Sequence, residues 1–202
     1  RACGPSLEPF GITNALRDPF VELHSQGSEG LLETNDNWED HPLSDSIPAN
    51  LRPGEANEAA ILRTVPPGAY TAIVRGVGDT SGLGIVEIFE VDETSRLLNL
   101  STRGRVGTDA EILIGGLIIS GDTEKTVLIR GRGPSLEGHG LANVLANPRL
   151  ELFEGETLID SNDNFADHSR MSEIPSTEVP TNELESAIVA TLQPDVAYTA
   201  KL

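Results

Sequence analysis

Two segments of this 202-residue chain are copies of one another, and the sequence between them occurs once. RACGPSLEPFGITNALRDPFVEL, residues 1–23, aligns without a gap with RGRGPSLEGHGLANVLANPRLEL, residues 130–152. TNDNWEDH at 34–41 returns as SNDNFADH at 161–168, EAAILRTV at 58–65 as ESAIVATL at 185–192, and AYTA at 69–72 as AYTA at 197–200. The period, about 128 residues, is domain-sized and too long for a solenoid unit. The order is repeat, unique block (74–129), repeat. One period therefore holds a full set of elements, and one copy is left over. Its partner strands are expected from a neighbouring molecule or from sequence beyond this chain. On this reading residues 1–97 form a first domain lacking its N-terminal strands, and residues 98–202 a second lacking its C-terminal strand. The chain opens inside a motif without an initiating Met, so a trimmed piece of something longer is expected.

Strand signals dominate. AYTAIVRGV (69–77), GIVEIFEV (84–91), LLNLSTRGRV (97–106), EILIGGLIIS (111–120) and KTVLIRG (125–131) are rich in Val, Ile, Leu and Thr and are separated by Gly, Asp and Ser. FVELHSQGSEGLLETNDN and LELFEGETLIDSNDN each predict a hairpin with a glycine-bearing turn. ITNALRD and LANVLAN predict one or two helical turns, ending where Asp18 and Asn147 precede proline. Pro5, Pro66 and Pro67 are expected at strand ends or edges. Short strands with regular turns predict an all-β, antiparallel β-sandwich, two related copies sharing a central strand block, which the resemblance given next implies to be jelly-roll-like.

The succession GPSL, DPxxEL, NDNW, EAAI and PPGAYTAIVRGVG with GIVEIFEVD resembles a β-sandwich repeat domain found in tandem in large secreted or surface-attached bacterial proteins. Such repeats are akin to the pre-peptidase C-terminal-like jelly-roll modules of secreted peptidases. The resemblance covers nearly the whole chain. It implies an extracellular or cell-surface structural or adhesive module, and carries no catalytic residues with it. The second copy departs from the pattern, with QPDVAY in place of PPGAY.

Charge narrows the partners. The net charge is −18, and of 14 basic residues only Lys125 and Lys201 are lysines. Such a field repels nucleic acid and anionic membranes. The longest apolar run, ILIGGLII at 112–119, is far below the roughly 20 residues of a membrane-spanning helix. Cys3 stands alone, which excludes an intrachain disulfide and a cysteine metal cluster. Copies of the chain itself are the expected partners. A glycan is the alternative, although Trp38, Tyr70, Tyr198 and five phenylalanines are few for a sugar-binding stripe.

The repeated acidic knot offers two chemistries. Asn35, Asp36, Asn37 and Asp40, with Asn162, Asp163, Asn164 and Asp167, present closely spaced hard oxygens that suit Ca²⁺. Glu22, Glu151, Glu58 or Glu185 would have to complete the shell. The other reading is an Asx-turn corner between sheets, with Trp38 and Phe165 as its apolar plug. The corner is favoured, because two loop carboxylates alone make a weak site. His41 with Asp40, His168 with Asp167, and the recurring Ser6 and Ser135 raise a Ser-His-Asp triad. GPSL lacks the nucleophile-elbow pattern, so a hydrolase is the weakest expectation. GVGDTSG and RGRG lead into no helix with Lys-Ser/Thr, so they are expected as turns rather than phosphate loops. Arg1, Arg130 and, on the strands of the central block, Arg75, Arg103 and Arg105 are expected to pair with the recurring glutamates across strands or between units.

Overall fold

The computed structural model describes residues 1–27, 30–92 and 96–202. The fold is all-β, with antiparallel sheets and short 3₁₀ turns. Two compact units divide the chain, Arg1–Leu100 and Ser101–Leu202.

In the first unit, β1 (Ala2–Cys3), β2 (Pro19–Ser25), β3 (Leu31–Asn35), β4 (Tyr70–Gly76) and β5 (Ile85–Val86) form two sheets, ordered β3-β2-β4 and β1-β5. In the second, β6 (Ile114–Ile118), β7 (Lys125–Gly131), β8 (Leu150–Glu154), β9 (Thr157–Asn162), β10 (Ser186–Leu192) and β11 (Ala197–Lys201) form sheets ordered β6-β11-β8-β9 and β10-β7. The hairpins β2–β3 and β8–β9 both form, and each carries a register shift at aligned positions, Leu23/His24 and Leu152/Phe153. Turn residues 28 and 29 of the first hairpin lie outside the described residues.

The GPSL motif folds differently from expectation. Pro5 and Pro134 each open a six-residue 3₁₀ helix, Pro5–Phe10 and Pro134–His139. A proline at the first helical position loses no hydrogen bond, because that N–H has no partner within the helix. Gly11 and Gly140 close the two turns in the left-handed region (φ +87° and +79°), where glycine pays no steric penalty. The helical turns expected over ITNALRD and LANVLAN do not form; those residues run as turns and bends. Neither heptapeptide is long enough to repay helix nucleation.

The central block shows the largest departure. Of GIVEIFEV only Ile85 and Val86 form strand, paired with Cys3 and Ala2, and LLNLSTRGRV forms none among the described residues. Ile88, Phe89, Val91, Leu97, Leu98 and Leu100 are exposed. Strand propensity needs a neighbour to supply ladder hydrogen bonds, and among the described residues no ladder reaches these. GVGDTSG turns as expected, through a 3₁₀ turn at Val77–Asp79.

The cores differ in extent. In the second unit Leu150, Leu152, Ile188, Leu192 and Tyr198 are buried together, covered by Leu117, Ile119, Val127 and Ile129. Burying each of the aliphatic side chains contributes about 1.5–3 kcal/mol. The corresponding cluster of the first unit holds only Ala2, Val21 and Ala59, with Ile61, Ala72 and Val74 partly covered.

Candidate functional site

Glu58 and Glu185 organise each copy. Both are fully buried, at 0% exposure. One carboxylate oxygen of Glu58 accepts the backbone N–H of Gly4 (2.8 Å) and Ser6 (2.9 Å); the other accepts those of Gly54 (3.1 Å) and Glu55 (3.3 Å). Glu185 accepts Gly133 N–H (3.0 Å), Ser135 N–H (3.0 Å) and the Ser135 hydroxyl (2.5 Å) on one oxygen. The other oxygen of Glu185 is buried without a partner among the described residues. Burial alone would raise the Glu58 pKa, but the Ser6 hydroxyl and the Ser6, Gly4 and Glu55 amides outweigh it and hold the carboxyl below its usual value. This carboxylate clamp needs GPSL to begin with glycine. A Cβ on Gly4 would lie 1.8 Å from the Leu16 carbonyl oxygen, and one on Gly133 2.0 Å from that of Leu145.

The NDN knot is tied to the same segment. The Glu58 carbonyl accepts Trp38 N–H (2.7 Å) and the Glu185 carbonyl accepts Phe165 N–H (2.8 Å). Asn35 is buried: its Oδ1 accepts Ala60 N–H (2.8 Å) and its Nδ2 donates to the Asn37 carbonyl (2.9 Å). Asn162 repeats both bonds, with Ala187 (2.9 Å) and Asn164 (2.8 Å). Asn37 donates to Asp40 (3.3 Å) at the surface. The oxygens of Asn35 and Asn162 are therefore engaged by the backbone. Asp163 and Asp167 are exposed. The Asp36 carboxyl is raised by burial and then by the charges of Asp18 and Asp40. Among the described residues no group of three or more His, Cys, Asp or Glu could hold a metal ion. The glutamates expected to complete a calcium shell are engaged elsewhere: Glu58 and Glu185 in the clamp, Glu22 against His24 and Arg75, Glu151 against Arg149. Phe165 packs against Ile174, Ala187 and Val189. Trp38 is half-buried beneath the Arg52 guanidinium, 5.8 Å from its ring centre.

The histidines do not pair with the neighbouring aspartates as the sequence suggested. His41 Nε2 meets Glu33 (2.8 Å) and His168 Nε2 meets Asp160 (3.1 Å), each acid eight residues upstream on the preceding strand. Nδ1 of each ring accepts a backbone N–H, from Leu43 and from Arg170. Nε2 must then carry the proton that it donates to the acid. Ser135 is engaged by Glu185 and by Arg132 (2.9 Å). Among the described residues neither the recurring serine nor the recurring histidine bonds to the aspartate beside the histidine, Asp40 or Asp167. Of the arginines expected to pair, three do: Arg1 with Glu87 (2.6 Å), Arg75 with Glu22 (3.7 Å) and Arg130 with Glu178 (2.8 Å); of these acids only Glu22 recurs, and Arg103 and Arg105 lie outside any strand and form no ion pair among the described residues. Cys3 is buried beside the first of these, and burial pushes its thiol up to about 11.

The two units differ along one edge. In the second, β7 and β10 pair over seven rungs, from Gly131↔Ser186 to Lys125↔Leu192. In the first, the aligned segment 59–65 has one bridge, Ala2↔Ala59, and no strand beyond it. Leu192 is 1% exposed and its counterpart Val65 is 38% exposed. β11 has neighbours on both sides, β6 and β8, whereas the aligned β4 pairs only with β2. An open groove of about 370 Å³ runs along this edge, lined by Leu32, Arg63, Val65, Pro67 and Tyr70 among others. Sequence reasoning anticipated an unpaired margin but did not locate it at residues 60–66.

Fold and site together define an all-β chain fastened by buried hydrogen bonds and open along one strand edge. Comparison with family models, with curated proteins and with solved structures found no match in any of the three.

Proposed function

We propose that the chain is a non-catalytic structural module of an extracellular or cell-surface assembly, built on β-sandwich repeats that neighbours complete by strand addition. One observation carries the reading. The same sequence is sealed by a seven-rung ladder in one unit and left with a single bridge in the other. An exposed edge lined with apolar side chains pairs readily with another strand. The clamp and the corner support a structural role, because they use the recurring polar residues as fastenings. A net charge of −18 with two lysines suits a soluble, salt-tolerant surface protein.

Light scattering with negative-stain electron microscopy tests the proposal. Oligomers or filaments that grow with concentration are expected. A chain that stays monomeric at high concentration, with the amides of residues 61–65 already protected from exchange, would overturn it.

A further inference from the structure

We propose that residues 101–106, Ser-Thr-Arg-Gly-Arg-Val, are a strap that closes onto the free edge of β6 as a further antiparallel strand, hinged at the turn 107–110. Strap, turn and edge all lie inside the unit Ser101–Leu202, so the inference goes beyond the assembly reading and does not depend on it.

The edge is open and apolar. β6 ends its sheet, which runs β6-β11-β8-β9. Leu113 and Leu202 exchange both backbone hydrogen bonds, at 3.2 and 3.0 Å, and the ladder with β11 continues from Ile114↔Lys201 to Ile118↔Ala197. Successive residues of a strand aim their N–H and C=O at opposite sides. Leu113, Gly115 and Leu117 therefore point toward β11, and Ile114, Gly116 and Ile118 point away from it. Among the described residues no strand pairs with β6 on that side. Ile114 and Ile118 are 57% and 66% exposed, an edge of the kind that folded proteins cover.

The strap carries the matching pattern. Leu98, Leu100, Thr102, Gly104 and Val106 alternate with Asn99, Ser101, Arg103 and Arg105, the period of a half-buried strand. Residues 101–105 are exposed, and among the described residues no bond between main-chain groups engages 101–106. The turn is already closed: Gly107 N–H donates to the Glu111 carbonyl (2.8 Å) and Glu111 N–H to the Thr108 carbonyl (3.0 Å).

Two conditions set the register. Leu117 packs on the core of its unit, so the less polar face of the strap has to lie on that side of β6. Even-numbered strap residues then stand opposite odd-numbered β6 residues. A four-residue loop, 107–110, is an ordinary hairpin length and sets Gly104 opposite Leu113. A Cβ on Gly104 would already stand 3.2 Å from the Leu113 side chain. Thr102 falls opposite Gly115, whose own Cβ would meet nothing within 4 Å. The glycine of the strap thus makes room for a leucine of the edge, and the glycine of the edge makes room for a threonine of the strap. Arg103 and Ser101 supply the hydrogen bonds of Ile114 and Gly116, and the Arg103 stem covers Ile114 from outside.

The test follows residue-resolved hydrogen exchange of the full chain in dilute solution, with light scattering reporting the monomer. Failure of the strap is then read separately from failure of assembly. The amides of Ile114 and Gly116 should exchange about tenfold or more slower than an open edge. Arg103→Pro, which removes the N–H bonded to Ile114, should restore fast exchange at both, and Arg103→Ala, which keeps that N–H, should not. Trapping gives a second reading, in a chain carrying Cys3→Ala. Thr102→Cys with Gly115→Cys should cross-link about tenfold or more faster than Thr102→Cys with Gly116→Cys, since the first pair faces across the ladder at about 4.5 Å between Cα atoms and the second points to opposite faces. Unprotected amides at Ile114 and Gly116, or equal trapping rates, would overturn the strap. Protection that survives Arg103→Pro would put a different strand on β6 and overturn it as well. Should a cysteine pair fail to fold, exchange in the unaltered chain and in Arg103→Pro still decides the question.

Discussion

Replacing the clamp carboxylates one at a time separates two sites that look equivalent in sequence. Glu58→Gln keeps one oxygen for Gly4 and Ser6 but turns an NH₂ group toward the N–H donors of Gly54 and Glu55. Donor then faces donor at two part-buried bonds, and because Gly54 and Glu55 are exposed their amides lose their acceptor at about 1 kcal/mol each. With about 1–2 kcal/mol of charge assistance lost as well, the total is about 3–4 kcal/mol for a unit of roughly 100 residues. At about 4–8 °C per kcal/mol for a domain of that size, the unit 1 midpoint drops by at least 10 °C. Glu185→Gln behaves differently. Its second oxygen has no partner among the described residues, so the NH₂ can occupy that place and all three donors keep their acceptor. Only the charge assistance is lost, which is about half the strength of such bonds. Unit 2 should lose about 1–2 kcal/mol. Two units can unfold separately, so exchange measured by mass spectrometry, which assigns each opening to its segment, is the assay. Equal losses at the two sites, or a Glu58→Gln loss below about 1 kcal/mol, would refute the argument that donor satisfaction governs the clamp.

Three further outcomes follow from the same geometry. Glu58 and Glu33 both ionise at lower pH folded than unfolded, Glu33 because Arg63 and His41 outweigh its burial; their stabilisation is present above the ordinary glutamate range near pH ~4.3 and lost as pH falls through the folded values. The unit 1 melting temperature should therefore fall between pH 6 and pH 3, and fall less in Glu58→Gln; an unchanged difference between the two proteins would contradict it. Asn35→Ala and Asn162→Ala each orphan a buried N–H and should destabilise their units by about 1–3 kcal/mol, against less than about 0.5 kcal/mol for the surface change Asn37→Ala, read by denaturant titration. Gly4→Ala drives a Cβ into the Leu16 carbonyl and should cost about 3 kcal/mol in unit 1, checked by thermal melting against Gly138→Ala, whose Cβ meets only open space outside the left-handed region.

The all-β class and many strand positions were legible because strand-forming runs report them directly: β4, β6 and β7 each fall inside a run identified from Val, Ile, Leu and Thr, and β2 overlaps the hairpin expected from Phe20 onward. The corner at Asn35 was legible as an Asx-rich turn, though not its link to Ala60, since a hydrogen bond spanning 25 residues leaves no local signature. The clamp was hidden for a related reason. Glu58 and Glu185 recur in the alignment, yet a glutamate reads as a surface residue or metal ligand until the fold brings two glycine-led loops against it. The histidines misled because adjacency in sequence suggested Asp40 and Asp167, whereas a strand returns Glu33 and Asp160 to the ring.

The failure at residues 87–91 and 97–106 has another origin, and it links the two ends of the argument. Propensity describes what a segment does beside a partner, and identical propensity gives opposite outcomes when the partner is missing. Segment 185–192 forms a buried strand against β7, while its copy at 58–65, equally rich in Ile, Leu and Val, forms none. The difference therefore lies in the neighbouring strand, not in the segment itself. By the same logic GIVEIFEV and LLNLSTRGRV retain the composition of strands and lack only something to pair with. If assembly slows exchange at 61–65 without altering it at 87–91 and 97–106, the two defects are independent, and the latter segments answer to a second strand arriving elsewhere.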